Sequence, residues 1–303
     1  MMKLNEFQQK ITQLLPNIEL CMWEPMSKHT SFRIGGAAEV MAFPQSASEL
    51  AELLKVSKLL DCRCAILGAG TNVLAPDAGI SGLVICLKDC LEGMERLDHT
   101  HIRVAAGVTM SRMAVFAATH GLSGLEFAHG IPGTVGGGIY MNAGAYGGEI
   151  SMVCESVDVM DPDGNITTVA AADMGFSYRH SRLEEEPGIV LAAVFALSPK
   201  PEDEIRGLMQ ELLNKRKASQ PLDLPSAGSA FKRPVGGYAA ALIDEAGLKG
   251  FRIGGAAVSE KHAGFVVNLG GATASDVVAL LEQVALKVYE SSGIRLQPEV
   301  RIW

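Results

Sequence analysis

Apolar residues recur at helical spacing in several stretches of the chain, and these stretches predict its helices. Ser46 and Glu49 form a potential capping box, and leucines at intervals of three and four follow them up to the apolar run at 65–67. This pattern predicts a helix that leads into a strand. A second helix is predicted over residues 109–120, and Gly121 is expected to end it.

Alternation of apolar and polar residues predicts the strands. Residues 153–160 alternate, and the turn-forming residues 161–165 precede a second short segment at 166–169, which is typical of a β-hairpin. We expect residues 189–197 to join this hairpin as a further strand. Shorter strands are predicted at 39–43, 83–87 and 102–105. These three strands and the two predicted helices are interpreted as a small α/β unit in the first segment of the chain.

The last third of the chain is predicted to form its own unit. Pro199 and Pro201 interrupt the chain before a charged helix predicted over 202–218, which indicates a domain boundary near residue 200. The clearest helix of the chain is capped by Thr273 and Asp276. One apolar stripe runs along it, consisting of Val277, Leu281, Val284 and Val288.

Composition excludes several classes of protein. The 26 Lys and Arg residues against 34 Asp and Glu give a net charge of -8, whereas a nucleic-acid partner requires a basic face. The six cysteines contain no C-x-x-C pair, so we expect neither a metal site nor a disulfide framework. Residues 1–16 are amphipathic and unlike a signal peptide, and no apolar run is long enough for a membrane span. The cytoplasm is the expected location, without a membrane partner.

Glycine is abundant, with 33 residues, and two glycine-containing loops could approach a ligand closely. The predicted strand 65–67 runs into a Gly-x-Gly turn at 68–72, but a Rossmann site is excluded because no third glycine follows and Pro76 would interrupt the helix. An anion-binding nest and an ordinary strand-end loop both remain possible for this turn. In the second loop, eight glycines fall within residues 130–148, which favours a flat or phosphorylated ligand against the backbone.

Several motifs together resemble the UDP-N-acetylenolpyruvoylglucosamine reductase family, also called UDP-N-acetylmuramate dehydrogenases. The motifs are HTSFRIGGAAE (29–39), LGAGTNVL (67–74), GIPGTVGGGIYMNAGAYGGE (130–149), FSYRHSRL (176–183), PSAGSAFKRP (225–234) and LQPEVRIW (296–303). The resemblance spans nearly the whole chain and fits the shorter subtype. It implies an α+β fold with a two-part FAD-binding domain and a C-terminal substrate-binding domain. The corresponding limits are 1–106 and 107–200 for the FAD-binding subdomains and 201–303 for the substrate domain.

The same resemblance implies that both glycine loops hold FAD, with NADPH as the co-substrate. The residues expected to contact FAD are Gly68, Ala69, Gly70, Thr71 and Asn72 in the first loop, and Pro132, Gly133, Val135 and Gly136 in the second. Related oxidases often attach the flavin through a histidine after the paired glycines, whereas Ala37 follows Gly35 and Gly36 here. Non-covalent binding of FAD is therefore expected.

The resemblance also assigns the catalytic residues of an enolpyruvyl reduction. Ser229 is expected to donate the proton, and Arg179 and Glu299 are expected to flank the substrate carboxylate. Each residue has an ordinary alternative. Ser229 could be a turn hydroxyl, Glu299 could face solvent, and Arg179 could be a surface charge paired with an acidic residue at 184 or 185.

A UDP-sugar substrate requires cations for its diphosphate. We expect Lys232, and then Lys217, to bind it, although basic residues near a helix end are also favoured by the helix dipole. Tyr238, before a helix predicted at 239–245, could contact the substrate or belong to the core. His262 could line the cleft or be structural. His180 stands where many family members carry Asp or Asn, so the role of that position is open.

Two other functions compete with the reductase. A flavin oxidase on the same scaffold would share the first 200 residues but require another substrate domain, against which the Ser229 and Glu299 motifs argue. A catalytically idle binding protein would be expected to lack one of the three catalytic candidates, and all three are present. The oligomeric state is not predicted.

Overall fold

The computed structural model describes residues 4–88 and 90–303 of the chain. The helices in this part of the chain are α1 (Leu4–Leu14), α2 (Ala47–Leu59), α3 (Met110–Thr119), α4 (Val135–Tyr140), α5 (Glu202–Ser219), α6 (Ala239–Glu245) and α7 (Ala274–Ser292). None of these helices combines the length and the apolar character that a membrane crossing requires.

The strands form three larger sheets and several short pairs. They are β1 (Glu19–Pro25), β2 (Ala37–Phe43), β3 (Cys64–Leu67), β4 (Val73–Leu74), β5 (Ile80–Cys86), β6 (Met94–Arg96), β7 (His101–Ala105), β8 (Leu122–Ser123), β9 (Gly144–Ala145), β10 (Gly148–Glu149), β11 (Cys154–Met160), β12 (Ile166–Ala170), β13 (Ile189–Ala196), β14 (Ser198–Pro199), β15 (Ser226–Ser229), β16 (Arg252–Ile253), β17 (Ala256–Val258), β18 (Phe265–Asn268) and β19 (Arg301–Ile302).

The sheets differ in strand direction. The order β1-β2-β5-β3 forms one sheet, in which β3 and β5 are parallel. The order β12-β11-β13-β7-β6 forms an antiparallel sheet, and β15-β18-β17-β16 forms another. The short pairs join β9 to β10, β8 to β14 and, in parallel, β4 to β19.

The chain divides into two compact units that do not follow the order of the sequence. The first unit contains the described residues up to Trp23, Glu39–Ala69 and Ser81–Asn214. The second unit contains Glu24–Ala38, Gly70–Ile80 and Lys215–Trp303. The second unit therefore combines the C-terminal third with two short segments from the first eighty residues. The domain limits predicted from the sequence stay predictions.

The first unit has two apolar clusters. In one, apolar side chains of α3 and α4 pack against the five-stranded sheet, with Ile102, Val157 and Phe195 fully buried in the strands. In the other, α1 and α2 cover β2 and β5, where Leu50 and Leu53 of α2 are fully buried. Burial of this apolar surface stabilises the first unit.

The second unit is built around α7. The predicted stripe of Val277, Leu281, Val284 and Val288 faces its core. Thr273 and Asp276 form the predicted capping box at the start of α7, and Gly293, with φ +72°, ends the helix. Asp77 adds an acceptor, since its carboxylate accepts hydrogen bonds from the N–H groups of Ala274 (2.7 Å) and Ser275 (3.0 Å). The segment after the first glycine loop is thereby fixed to the helix.

Most predicted elements are confirmed. The helix predicted at 109–120 is α3, which begins after Thr109 and is followed by Gly121 in the left-handed conformation. The hairpin of β11 and β12 forms as predicted, with β13 on its other side. The capping box at Ser46 is only half formed: Ser46 accepts from the Glu49 N–H, but the Glu49 carboxylate accepts from Gln45 instead.

Candidate functional site

The first glycine loop offers unused donors. Among the described residues, none accepts a hydrogen bond from the N–H groups of Gly68, Ala69 or Gly70, which follow directly after β3. Gly70 has φ +62°, and a Cβ atom there would overlap the carbonyl of His29. Successive unpaired N–H groups beside a left-handed residue are typical of an anion-binding nest. The loop therefore fits a phosphate-bearing cofactor.

In the second glycine segment, several backbone N–H groups already donate to other groups of the protein. Thr134 caps α4, with its hydroxyl accepting from Gly137 at 3.4 Å. The N–H of Val135 donates to Val108 (2.8 Å), and the N–H of Gly136 donates to the carbonyl of residue 106 (2.9 Å). These two residues do not offer backbone donors to a pyrophosphate. Their contribution to cofactor binding would be close packing, because a side chain on Gly136 would meet the methyl group of residue 106 at 3.1 Å.

Gly68 of the first loop and Thr134 of the second segment, both in the first unit, lie close together. A Cβ atom on Gly68 would lie 2.7 Å from the Thr134 hydroxyl oxygen, closer than an ordinary contact. Glycine at position 68 is therefore required for the approach of the two segments. Pro132 is exposed, and Gly133 has φ +138°, which a residue with a side chain rarely adopts.

Arg179 stands at the tip of a tight turn. The N–H and carbonyl groups of Ser177 and His180 exchange two hydrogen bonds of 3.2 Å. Arg179 itself has φ +56°, a strained conformation for a residue with a side chain. Its Nη2 donates to the carbonyl of Gly144 at 3.1 Å, and its guanidinium lies 5.1 Å from the centre of the Tyr178 ring. The backbone thus presents the guanidinium in a defined direction.

His180 pairs with an acidic residue near the turn. Its Nε2 lies 2.8 Å from a carboxylate oxygen of Glu185, and its Nδ1 lies 3.2 Å from the carbonyl of Gly175. The hydrogen bond with Glu185 raises the pKa of His180, and the contact with the Gly175 carbonyl raises it further. Burial lowers this pKa, but the raising effects are larger. Both ring nitrogens face groups that only accept, so the protonated imidazole satisfies both contacts.

Asn142 has no role predicted from the sequence, but in the structure its side chain contacts the Arg179 turn. Asn142 is fully buried and has φ +41°. Its amide nitrogen donates to the carbonyl of Ser177 at 3.0 Å. The sequence does offer one local signal for Asn142, because it is an amide among small residues shortly after the helix of the second glycine segment. Its contact with residue 177 could not be predicted from the local sequence.

The second unit brings the Ser229 and Glu299 segments together. Ser229 ends β15, where it pairs with Phe265 and is exposed. The N–H of Glu299 donates to the carbonyl of Ala230, the next residue, at 2.9 Å. Asn72 belongs to the same arrangement, since its side chain donates to the Glu299 carbonyl at 3.2 Å. A predicted cofactor residue therefore holds the backbone of a predicted catalytic residue.

The predicted substrate residues lie in the second unit. Lys217 is exposed near the end of α5, and its carbonyl accepts from Lys261 at 2.7 Å. Lys232 is half-buried, with its N–H bonded to Gln297 at 2.8 Å. Tyr238 is exposed directly before α6, where the guanidinium of Arg233 lies 4.0 Å from its ring centre.

The structural alternative for His262 is favoured by its contacts. Its Nδ1 accepts from the N–H of Gly264 at 3.1 Å, and its ring packs edge-on against Phe265 at 5.0 Å. Burial lowers the pKa of His262, so the neutral ring is favoured. We therefore assign this histidine no part in the site.

Comparisons with known proteins cover nearly the whole chain. A family profile described as an FAD binding domain matches residues 38–170, and one described as the C-terminal domain of UDP-N-acetylenolpyruvoylglucosamine reductase matches residues 220–303. UDP-N-acetylenolpyruvoylglucosamine reductase of Agathobacter rectalis is 47% identical, over 98% of each chain. The protein of the same name from Caldanaerobacter subterraneus subsp. tengcongensis is also 47% identical, over 97% of this chain and 96% of its own. The crystal structure of the Thermus caldophilus reductase aligns with a TM-score of 0.79 at 35% identity, covering 95% of this chain and 99% of that one.

Proposed function

The chain belongs to the UDP-N-acetylenolpyruvoylglucosamine reductase family, and from this premise we propose that Arg179, Ser229 and Glu299 act on the enolpyruvyl group of the substrate. The reaction is the FAD-dependent reduction of UDP-N-acetylglucosamine enolpyruvate to UDP-N-acetylmuramate with NADPH, a step of peptidoglycan precursor synthesis. Bound FAD supplies the hydride for one alkene carbon after its reduction by NADPH. The protein has to supply a proton for the other carbon and stabilise the charge that develops on the substrate.

Ser229 donates that proton in our proposal. The observation that carries the proposal is the hydrogen bond from the Glu299 N–H to the carbonyl of Ala230, which joins the two candidate segments in the second unit. The exposed hydroxyl of Ser229 is accessible to a substrate, and Glu299 stands on the neighbouring segment. A serine hydroxyl is a weak acid, so it requires a strongly basic acceptor and a relay that restores its proton. Lys232 or a bound water is the candidate for this relay.

Arg179 binds the substrate carboxylate in our proposal, together with Glu299. A guanidinium presents its N–H groups as a rigid fork that matches the two oxygens of a carboxylate. The turn of residues 177–180 and the contact with Gly144 restrict the orientation of this fork. A neutral carboxyl group at 299 contributes as a hydrogen-bond donor to the negative charge that develops on the substrate.

FAD is held without a covalent bond in our proposal. The donors of Gly68, Ala69 and Gly70 fit the pyrophosphate, and Thr71 and Asn72 continue the same loop. Pro132 and the following glycine-rich residues provide close packing. Ala37, at the start of β2, has no side-chain group that could attach a flavin.

The substrate diphosphate is assigned to Lys232 and Lys217, with Tyr238 against the rest of the UDP-sugar. These side chains are at least partly exposed and lie in the second unit. The cytoplasmic location stays a prediction. The oligomeric state is not assigned.

The proposal is tested by following the flavin anaerobically in two steps. The wild-type protein should be reduced by NADPH and then reoxidised by UDP-N-acetylglucosamine enolpyruvate, with UDP-N-acetylmuramate as product. Arg179→Lys keeps the charge but loses the fork, so the second step should slow strongly while the FAD content stays unchanged. Reoxidation of this variant at the wild-type rate would exclude the carboxylate role of Arg179.

A further inference from the structure

We propose that Asn142 is a positioning residue that holds Arg179 for the reduction of the enolpyruvyl group. The inference rests on the proposed role of Arg179 and adds a residue that touches neither the substrate nor the flavin in our account. All the groups that carry the inference lie in the first unit.

Asn142 is fixed first by its backbone. It occupies the left-handed position directly after Met141, which is the C-cap residue of α4. The Asn142 N–H donates to Ile139 (3.1 Å), and the next N–H donates to Gly138 (2.8 Å), the two bonds of a Schellman motif. Asparagine is one of the few residues with a side chain that tolerates this conformation. The helix end therefore sets the direction of the amide.

The side chain of Asn142 is fixed by three further hydrogen bonds. Its amide nitrogen donates to the carbonyl of Ser177 (3.0 Å) and to the carboxylate of Glu149 (3.1 Å). Its oxygen accepts from the N–H of Ser151 (2.9 Å). The two donors and the acceptor are all engaged, and the residue is fully buried. A flipped or displaced amide would leave buried polar groups without partners, which is costly.

The Ser177 carbonyl is the point at which Asn142 acts. The same carbonyl accepts from the His180 N–H and so closes the turn that carries Arg179. The Arg179 guanidinium donates a hydrogen bond to the carbonyl of Gly144. Gly144 in turn pairs with Glu149 across the β9–β10 hairpin. The base of the turn and the guanidinium are thus both anchored to the segment that begins at Asn142. A misplacement of about 1 Å can reduce a reaction rate about 100-fold.

Two substitutions remove the contact with Ser177 and keep the helix end. Asn142→Gly preserves the left-handed backbone and deletes the amide. Asn142→Asp also tolerates this backbone, but it cannot donate to Ser177 and places a second carboxylate beside Glu149. Ser151→Ala is the matched control, because it deletes a 2.6 Å hydrogen bond to Glu149 while the backbone N–H that contacts Asn142 stays.

The experiment measures both half-reactions of the FAD-loaded variants by anaerobic stopped flow. Asn142→Gly and Asn142→Asp should be reduced by NADPH at nearly the wild-type rate, whereas reoxidation by UDP-N-acetylglucosamine enolpyruvate should slow about 10- to 100-fold. Ser151→Ala should resemble the wild type in both steps. In an Arg179→Ala background, Asn142→Gly should slow reoxidation no further, because the side chain that it positions is already missing.

The outcomes separate the two proposals. Slow reoxidation of Arg179→Ala together with wild-type reoxidation of both Asn142 variants would overturn the positioning role and leave the role of Arg179 intact. An undiminished effect of Asn142→Gly in the Arg179→Ala background would also overturn it, since Asn142 would then act through another group. Wild-type reoxidation of Arg179→Ala would instead contradict the proposed function itself.

Discussion

Gly68→Ala should weaken FAD binding by forcing the two glycine segments apart. The new methyl group would lie 2.7 Å from the Thr134 hydroxyl oxygen, whereas ordinary contacts begin at 3.4 Å. The two segments therefore have to separate by 3.4 − 2.7 = 0.7 Å, or the threonine has to rotate and leave its capping position on α4. Both changes disturb a surface on which we place the cofactor.

The size of the effect follows from the cost of overpacking. An extra methyl group in a packed site typically costs about 1–3 kcal/mol. If the strain is relieved when the segments part and FAD leaves, the dissociation constant rises roughly 5- to 150-fold. Thr134→Ala alone removes the cap of α4, at a cost of about 1 kcal/mol. It also removes the atom that the Gly68→Ala methyl group meets, so the double variant should lose less affinity than the sum of the single ones.

The assay is a titration of each apoprotein with FAD, followed by flavin fluorescence. Gly207→Ala is the control, because the added methyl group on α5 would meet no atom within 4 Å. This control should keep the wild-type affinity and gain about 0.5–1 kcal/mol of stability. An unchanged dissociation constant for Gly68→Ala, or strictly additive losses with Thr134→Ala, would refute the convergence of the two segments as the cause.

Three further predictions concern single carboxylates. Asp77→Ala should destabilise the fold by about 1 kcal/mol at pH 7. Burial opposes the charge of Asp77, but hydrogen bonds from the start of α7 outweigh it and lower its pKa, so the difference in unfolding free energy should disappear as the pH falls below about 4. Glu185→Gln should lower the melting temperature at pH 6, where His180 is protonated and pairs with Glu185. The difference in melting temperature between variant and wild type should shrink as the pH rises above about 6.5 and through the raised pKa of His180, because the ring then loses its charge. A difference that stays constant with pH would exclude this pair as its cause. Glu299→Gln should retain more reductase activity than Glu299→Ala because an amide can still donate a hydrogen bond, and equal losses in steady-state assays would contradict a donor role at this position.

Local signals in the sequence were sufficient for the main helices and the central hairpin. Thr109 and Thr273 cap helices whose apolar faces follow at regular spacing, and left-handed glycines end both helices. A capping hydroxyl and a terminal glycine act within one helical turn, so neighbouring residues suffice to identify them. The half-formed box at Ser46 shows the limit, because the choice between two adjacent N–H groups depends on the backbone before the helix.

Local signals could not predict which segments of the chain make up the second unit. Its segments Glu24–Ala38 and Gly70–Ile80 join the C-terminal residues through contacts that are remote in sequence, such as the pairing of Arg301 with Val73. A strand of two residues has no periodicity of its own. Asn142 was missed for a related reason, since the positioning role that we propose for it depends on a carbonyl 35 residues further along the chain.

The most direct test of the account is the comparison of the two half-reactions in Ser229→Ala by anaerobic stopped flow. NADPH should reduce the flavin of this variant at nearly the wild-type rate, because that step requires no proton at a substrate carbon. Reoxidation by UDP-N-acetylglucosamine enolpyruvate should be slower by about 10²- to 10⁴-fold, the usual contribution of a positioned proton donor. Equal slowing of both steps, or no slowing of either, would contradict Ser229 as the proton donor.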